Sequence, residues 1–230
     1  MENNKEQNPD RNDLIQQDTT ADKALDVGAF VSAVLPIPWL APAVSFVLGG
    51  ISNQRKIKRI QEALRQLNEE IGDFKSEASE KYVDSEEFEE LVERTLQQIA
   101  NERHEQKRNM YGRFLAGAIK SPGDPYDEQI RFLRDLELLQ ADHIRIFQAM
   151  LQEPDPNSNV YIGSTMTTLS ERLSDISESR LRELVAYLND MKLISGIGNT
   201  MVTARTAVDL RNNFTPYGQR FVRYLNSKED

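Results

Sequence analysis

The spacing of apolar residues predicts a chain made mainly of helices. Downstream of residue 54, apolar positions recur at alternating steps of three and four, which is the heptad seam of a long amphipathic helix. The seam consists of Ile57, Ile60, Leu64, Leu67, Ile71 and Phe74. Such a seam needs an apolar partner, so we expect it to pack against another helix of this chain or a second chain.

Two further amphipathic segments complete a predicted bundle. One begins at a capping box formed by Asp84 and Glu87, continues through the charged stretch 101–108 and ends at residue 119. The other extends from Tyr126 to Gln152, and both stop at Pro-rich sequences. Long helices with short connections favour an antiparallel bundle over residues 55–153.

An uncharged apolar stretch precedes the bundle. Residues 27–54 contain no Asp, Glu, Lys or Arg, and prolines at 36, 38 and 42 interrupt them. Because proline disfavours a continuous helix, residues 21–54 are predicted to form a helical hairpin whose second arm spans about Leu40 to Leu48. The preceding residues 1–20 are polar and are predicted to be a disordered tail.

Residues 157–230 show a different pattern, in which short helices alternate with a hairpin. The predicted elements are, in order, a helix over 168–173, a helix capped by Ser177, a hairpin of 193–197 with 201–203, and a helix starting at Thr215 and Pro216. This order, with the sequences Asn189–Ile194 and Phe214–Gly218, resembles winged-helix domains. The predicted fold is therefore mainly α: a long-helix antiparallel bundle with an apolar N-terminal hairpin, followed by a small α+β winged-helix domain.

The whole chain also resembles an uncharacterised prokaryotic family of cytoplasmic helical-bundle proteins with an N-terminal apolar segment. The resemblance is carried by Val34–Gly50, the basic cluster Arg55–Arg59, His143–Phe147 and Thr215–Gly218. It implies the same architecture and a cytoplasmic location, and it implies no activity.

The composition and motifs argue against most classes of catalytic site. Cysteine is absent, only two histidines are present, and neither lies three residues after a glutamate. No Gly-rich phosphate loop or nucleophile elbow occurs in the sequence. We therefore predict no catalytic residue, metal site or cofactor, and a protein that is not an enzyme.

The apolar stretch and the basic cluster behind it suggest contact with a membrane. An uncharged segment followed by four basic residues in five is typical of sequences that bind anionic leaflets. The predicted membrane-contact residues are Phe30, Val34, Trp39, Val44, Phe46, Arg55, Lys56, Lys58 and Arg59. We hypothesise a membrane-associating or partner-binding protein at the periphery of the inner membrane, in which residues 27–50 are buried against the bundle until a cue or partner releases them to a membrane. Its most concrete form is a bacterial defence or stress effector. The alternative is a hairpin buried in the bundle.

Two other functions fit parts of the sequence. A transcriptional regulator would bind DNA as an oligomer through Arg180, Arg182 and Arg205, but acidic residues outnumber basic ones in its recognition helix, residues 178–191. The chain as a whole is acidic, with 28 Lys and Arg against 37 Asp and Glu and a net charge of −9. Nucleic acid is therefore not the favoured partner. A coiled-coil adaptor would use the seam from Ile57 to Phe74 to form a homo-oligomer or bind a protein partner.

Overall fold

Helices dominate the part of the chain that the computed structural model describes, which comprises residues 41–51, 53–71, 81–154, 162–203 and 209–226. The helices are α1 (Ala41–Gly49), α2 (Gln54–Ile71), α3 (Glu86–Asn101), α4 (Glu105–Lys120), α5 (Tyr126–Leu138), α6 (Ala141–Leu151), α7 (Thr165–Arg172), α8 (Glu178–Asp190) and α9 (Pro216–Leu225). Two short strands, β1 (Ile162–Gly163) and β2 (Val202–Thr203), and a 3-10 turn (Leu210–Asn213) complete the description. The mainly helical fold and the helical bundle are confirmed.

The apolar stripe of α2 packs inside the chain. Four residues of the predicted seam, Ile57, Ile60, Leu64 and Leu67, are buried, and α2 lies against α4 and α3. Each such side chain contributes about 1.5–3 kcal/mol of burial free energy. These four side chains are therefore already covered within the chain, and the role of the stripe as an oligomer seam stays a prediction. Ile71 is half-buried, and Phe74 lies outside the described residues.

The second predicted helix is two helices. It was expected to continue through residues 101–108, but α3 ends at Asn101 and α4 begins at Glu105. Glu102 and His104 are extended, and the Glu102 carboxylate accepts a hydrogen bond from the His104 N–H at 2.8 Å. Burial acts to raise the pKa of Glu102, but this hydrogen bond and the nearby Lys107 ammonium lower it overall. A charged side chain thus bonds to the backbone at the end of the helix, at a position that no glycine or proline marks.

The third predicted helix is also divided. Leu139 and Gln140 are extended between α5 and α6, so the expected helix from Tyr126 to Gln152 is wrong as a single element. Gln140 caps α6 by accepting from the backbone of His143, and the His143 ring accepts from the Gln140 N–H at 2.9 Å. This reciprocal pair satisfies donors that a helix start otherwise leaves unpaired.

Three helix starts test the capping predictions. Ser177 caps α8, and Thr215 caps α9 with Pro216 in its first turn, as predicted. For α3 the cap is Ser85, whose hydroxyl accepts from the Phe88 N–H at 3.2 Å, so the predicted capping box at Asp84 is displaced by one residue.

The predicted hairpin of 193–197 with 201–203 is not formed. Instead, β2 pairs antiparallel with β1, with Val202 opposite Gly163. Ile194 bridges Phe214, and the Ser195 N–H donates to the Asn213 carbonyl at 2.7 Å. Each half of the expected hairpin thus finds its backbone partner elsewhere in the chain. The α+β winged-helix prediction for residues 157–230 is therefore not supported.

The C-terminal residues share the core of the bundle. The buried apolar residues of 162–226 join those of the bundle in one continuous cluster, and α9 packs on α4. The close approach requires Gly117, since a Cβ there would lie 2.7 Å from Tyr224 Cα. The rings of Phe132 and Tyr224 lie 5.1 Å apart, and the Tyr224 hydroxyl donates to Asp124 at 2.6 Å. These contacts join α9 to the bundle, and the predicted domain boundaries stay a prediction.

Of the predicted N-terminal elements, the second arm of the apolar hairpin lies within the described residues. The second arm of the apolar hairpin corresponds to α1, which ends at Gly49 as expected. The first arm and the predicted disordered tail lie outside the described residues.

Candidate membrane-contact surface

The corner between α1 and α2 combines a buried face with an exposed aromatic ring. Val44, Val47 and Leu48 share one side of α1 and are buried, with α1 packed on α3. Phe46 points elsewhere and is 65% exposed. α1 is therefore held in place by three aliphatic side chains while it presents a large apolar group to its surroundings.

Cations gather at the start of α2. The first turn of this helix contains no acidic residue, and none occurs anywhere between residues 41 and 61. The N-terminus of a helix carries a partial positive charge, so cations there cost about 0.3–1 kcal/mol each. Arg55 and Lys56 lie in the first turn of α2 and are thus placed where the electrostatics of their own helix oppose them.

Two of the four cations in the basic cluster Arg55–Arg59, Lys56 and Arg59, donate hydrogen bonds to the end of α3. Lys56 Nζ donates to Asn101 Oδ1 at 2.7 Å, and Arg59 Nη1 donates to the Ala100 carbonyl at 3.0 Å. These acceptors lie at the C-terminal end of α3, where the helix dipole is negative. Both cations therefore join α2 to α3 as well as adding positive charge to the corner.

The other half of the cluster is exposed. Arg55 and Lys58 have no side-chain partner among the described residues, and both are accessible to solvent. Together with Phe46 they form the surface that we call the corner surface: Phe46, Arg55 and Lys58.

A groove runs beside this surface. It has a volume of about 540 Å³ and lies between α1, the start of α2 and the end of α3. Phe46, Val47 and Ile51 give it apolar walls, while Lys56 and Asn101 give it a polar side. Sequence analysis missed Asn101 and Ile51, because no local pattern indicates that the end of α3 meets the α1–α2 corner.

The predicted membrane-contact residues thus fall into exposed residues, buried residues and residues outside the described part of the chain. Phe46, Arg55 and Lys58 come together at an exposed corner. Val44 is fully buried, so it is not part of this exposed corner, and its role as a lipid contact stays a prediction. Phe30, Val34 and Trp39 lie outside the described residues. No helix in the described part of the chain is long and apolar enough to cross a bilayer.

The arginines predicted to contact DNA are paired with acidic neighbours. Arg180 contacts Glu183 at 3.2 Å and donates to Gln140 at 2.6 Å. Arg182 contacts Glu178 at 2.5 Å on the same helix. Phosphate binding would have to compete with these contacts. Arg205 lies outside the described residues.

His143 is a buried residue of the bundle. It is 3% exposed, and its ring lies 4.9 Å from that of Tyr187. Burial and the Arg180 guanidinium lower the pKa of His143 from 6.5 to about 4. Within the described residues no three His, Asp or Glu side chains are grouped as a metal site would require.

This shift predicts a pH-dependent stability. The unfolded chain binds a proton at His143 below about pH 6.5, whereas the folded chain stays neutral to about pH 4, so stability falls as the pH drops between these values. His143→Gln keeps an acceptor for the Gln140 N–H and cannot titrate. Between pH 7 and pH 4, the wild type should lose about 3 kcal/mol more stability than this variant in urea unfolding.

The control for this experiment is His104→Gln, because His104 is exposed and makes no side-chain capping bond. This variant should keep the wild-type pH profile. Parallel profiles for the wild type and His143→Gln would contradict the burial of a neutral imidazole.

The chain matches no protein-family model, and no curated protein or solved structure is significantly similar to it. The family resemblance inferred from the sequence stays a prediction.

Proposed function

We propose that this protein binds peripherally to anionic membrane surfaces through the corner surface. One observation carries the proposal: Arg55 and Lys58 are exposed and unpaired among the described residues, at a helix start that disfavours cations, and an exposed Phe46 belongs to the same corner. Lys56 and Arg59 each have a hydrogen-bond acceptor at the end of α3. For Arg55 and Lys58, the phosphate oxygens of lipid headgroups would supply the missing partner.

The expected affinity is modest. Each Lys or Arg near an anionic leaflet contributes about 1 kcal/mol, and a partly inserted aromatic ring adds apolar burial. The chain carries a net charge of −9, so the rest of the molecule is repelled by the same surface. Binding should therefore be reversible, oriented by the corner and weakened by salt.

Charge reversal at the corner tests the proposal. Arg55→Glu combined with Lys58→Glu should weaken sedimentation with phosphatidylglycerol vesicles by about 30-fold or more, because at least about 2 kcal/mol of attraction is lost. Both side chains are exposed, and the helix dipole favours a carboxylate near the start of α2, so the variant should unfold at the wild-type urea concentration or slightly above it.

The matched control reverses two exposed arginines elsewhere, Arg134→Glu with Arg223→Glu. It changes the net charge by the same amount and should retain most of the binding. Equal losses in the two variants would mean that net charge alone governs binding, which would refute a role for the corner.

The two other hypotheses receive less support from the contacts. DNA binding would use arginines that are engaged with glutamates of their own helix, and the adaptor would use a stripe that α3 and α4 already cover. Neither offers a comparable set of exposed, unpaired groups.

A further inference from the structure

The groove beside the corner surface is amphipathic. Its apolar part is formed by Phe46, Val47 and Ile51, with Ala100 at the end of α3. Its polar part is gathered in one place, because Lys56 and Asn101 are hydrogen-bonded to each other. A ligand that filled the groove would need an apolar portion and, next to it, a polar portion.

The polar part favours an anion. An ammonium group has three N–H donors, and Lys56 uses one of them for Asn101 Oδ1. The Asn101 amide nitrogen is itself occupied, since it donates to the Gln97 carbonyl at 2.9 Å. Lys56 therefore has donors left for an anionic oxygen, and residues 41–61 contain no carboxylate that could compete for them.

From this combination we infer that the groove holds one anionic glycerophospholipid molecule. Its phosphate would lie at Lys56, and the first carbons of an acyl chain would lie along Val47, Ile51 and Ala100. The volume of about 540 Å³ is within the range of small-molecule sites. This inference rests on the proposed function and goes beyond it: adsorption needs only the corner surface, whereas the groove adds stoichiometric binding of a single lipid.

Gly49 provides a variant that fills the groove without disturbing the fold. It lines the groove, and a Cβ added to it would meet no atom of the described residues within 4 Å. Gly49→Trp should therefore fold normally and occupy space that the acyl chain needs. Gly123→Trp is the matched control, because in the described part of the chain a Cβ there also meets nothing within 4 Å. Gly123 follows the far end of α4, a helix about 24 Å long that begins near the end of α3.

The experiment is calorimetric titration of the full chain with short-chain phosphatidylglycerol below its micelle concentration. We expect one lipid per chain, with affinity at least tenfold lower in Gly49→Trp and unchanged in Gly123→Trp. Short-chain phosphatidylcholine, which has no net charge, should bind at least tenfold more weakly. Glycerol phosphate, which has no acyl chain, should produce no measurable heat.

Four results would overturn the inference. Wild-type affinity in Gly49→Trp would show that the groove is not the site, and equal affinity for the two lipids would refute binding of the phosphate as an anion at Lys56. If the protein bound no short-chain lipid but still sedimented with vesicles, lipid binding in the groove would be refuted and the proposed function would stand. If it bound no vesicles either, both the groove inference and the proposed function would be refuted.

Discussion

Replacing Gly218 with alanine is expected to lower the free energy of unfolding by about 3 kcal/mol. An alanine Cβ at this position would lie 1.8 Å from the Leu193 carbonyl oxygen and 2.8 Å from its carbon. These are backbone atoms, so α9 would have to move away as a whole. The shift would also strain the cap of α9, where the Gly218 N–H donates to Thr215 Oγ1 at 2.9 Å.

Thermal unfolding measures this effect. A loss of about 3 kcal/mol should reduce the midpoint temperature by about 6–12 °C for a chain of this size. Gly123→Ala is the control, because a Cβ there meets no atom within 4 Å, and its stability should be unchanged or slightly raised. If Gly218→Ala melted with the control, the close approach of α9 to Leu193 would be wrong.

Replacing Leu64 with asparagine should destabilise the protein by about 4 kcal/mol. Leu64 is 1% exposed in the contact of α2 with α3 and α4. The substitution removes a buried aliphatic side chain and places an amide in an apolar contact, where it finds no hydrogen-bond partner. That loss is a large part of the total stability of a typical domain.

This substitution also separates the intramolecular stripe from an oligomer seam. Urea unfolding should show the full loss of stability, while light scattering should give the same mass for the folded variant and the wild type. Leu64→Met, which preserves volume and apolar character, should cost less than about 1.5 kcal/mol. A mass that halves in Leu64→Asn, with stability retained, would favour the coiled-coil adaptor instead.

The helical periodicity of the sequence was enough to predict α2 and the bundle, but not the breaks in it. Periodicity reports which face of a helix is apolar, and that face continues across Glu102–His104 and Leu139–Gln140. At both breaks side chains bond to the backbone, as Glu102 does to His104 and Gln140 does to His143. Such bonds compete with helix formation without a glycine or proline signal.

The C-terminal pairing could not be predicted locally either. The segments 193–197 and 201–203 have the composition of a hairpin, yet β2 pairs with β1 and Ile194 with Phe214. Strand pairing depends on which partner the packed helices bring near, and that is a tertiary property. The phrase from Thr215 to Gly218, by contrast, has a local cap and a tertiary contact at Leu193.

The candidate site was predicted in part for the same reason. Phe46, Arg55 and Lys58 stand out in the sequence by charge and apolar character. The burial of Val44 and the role of Asn101 depend on the packing of α1 and α2 against α3. A list of apolar residues next to a basic cluster therefore overestimates the number of residues that a membrane could touch.

The most direct test of the corner surface uses the absence of cysteine from the chain. A single Ser45→Cys substitution allows a polarity-sensitive dye to be placed next to Phe46, at an exposed position that leaves the ring itself intact. Ser179→Cys, also exposed and located on α8, is the matched control. With phosphatidylglycerol vesicles, we predict a blue shift of the dye at position 45 and none at position 179. A shift at position 179 alone, or no shift at position 45 while the protein still sediments with vesicles, would contradict membrane contact through the corner.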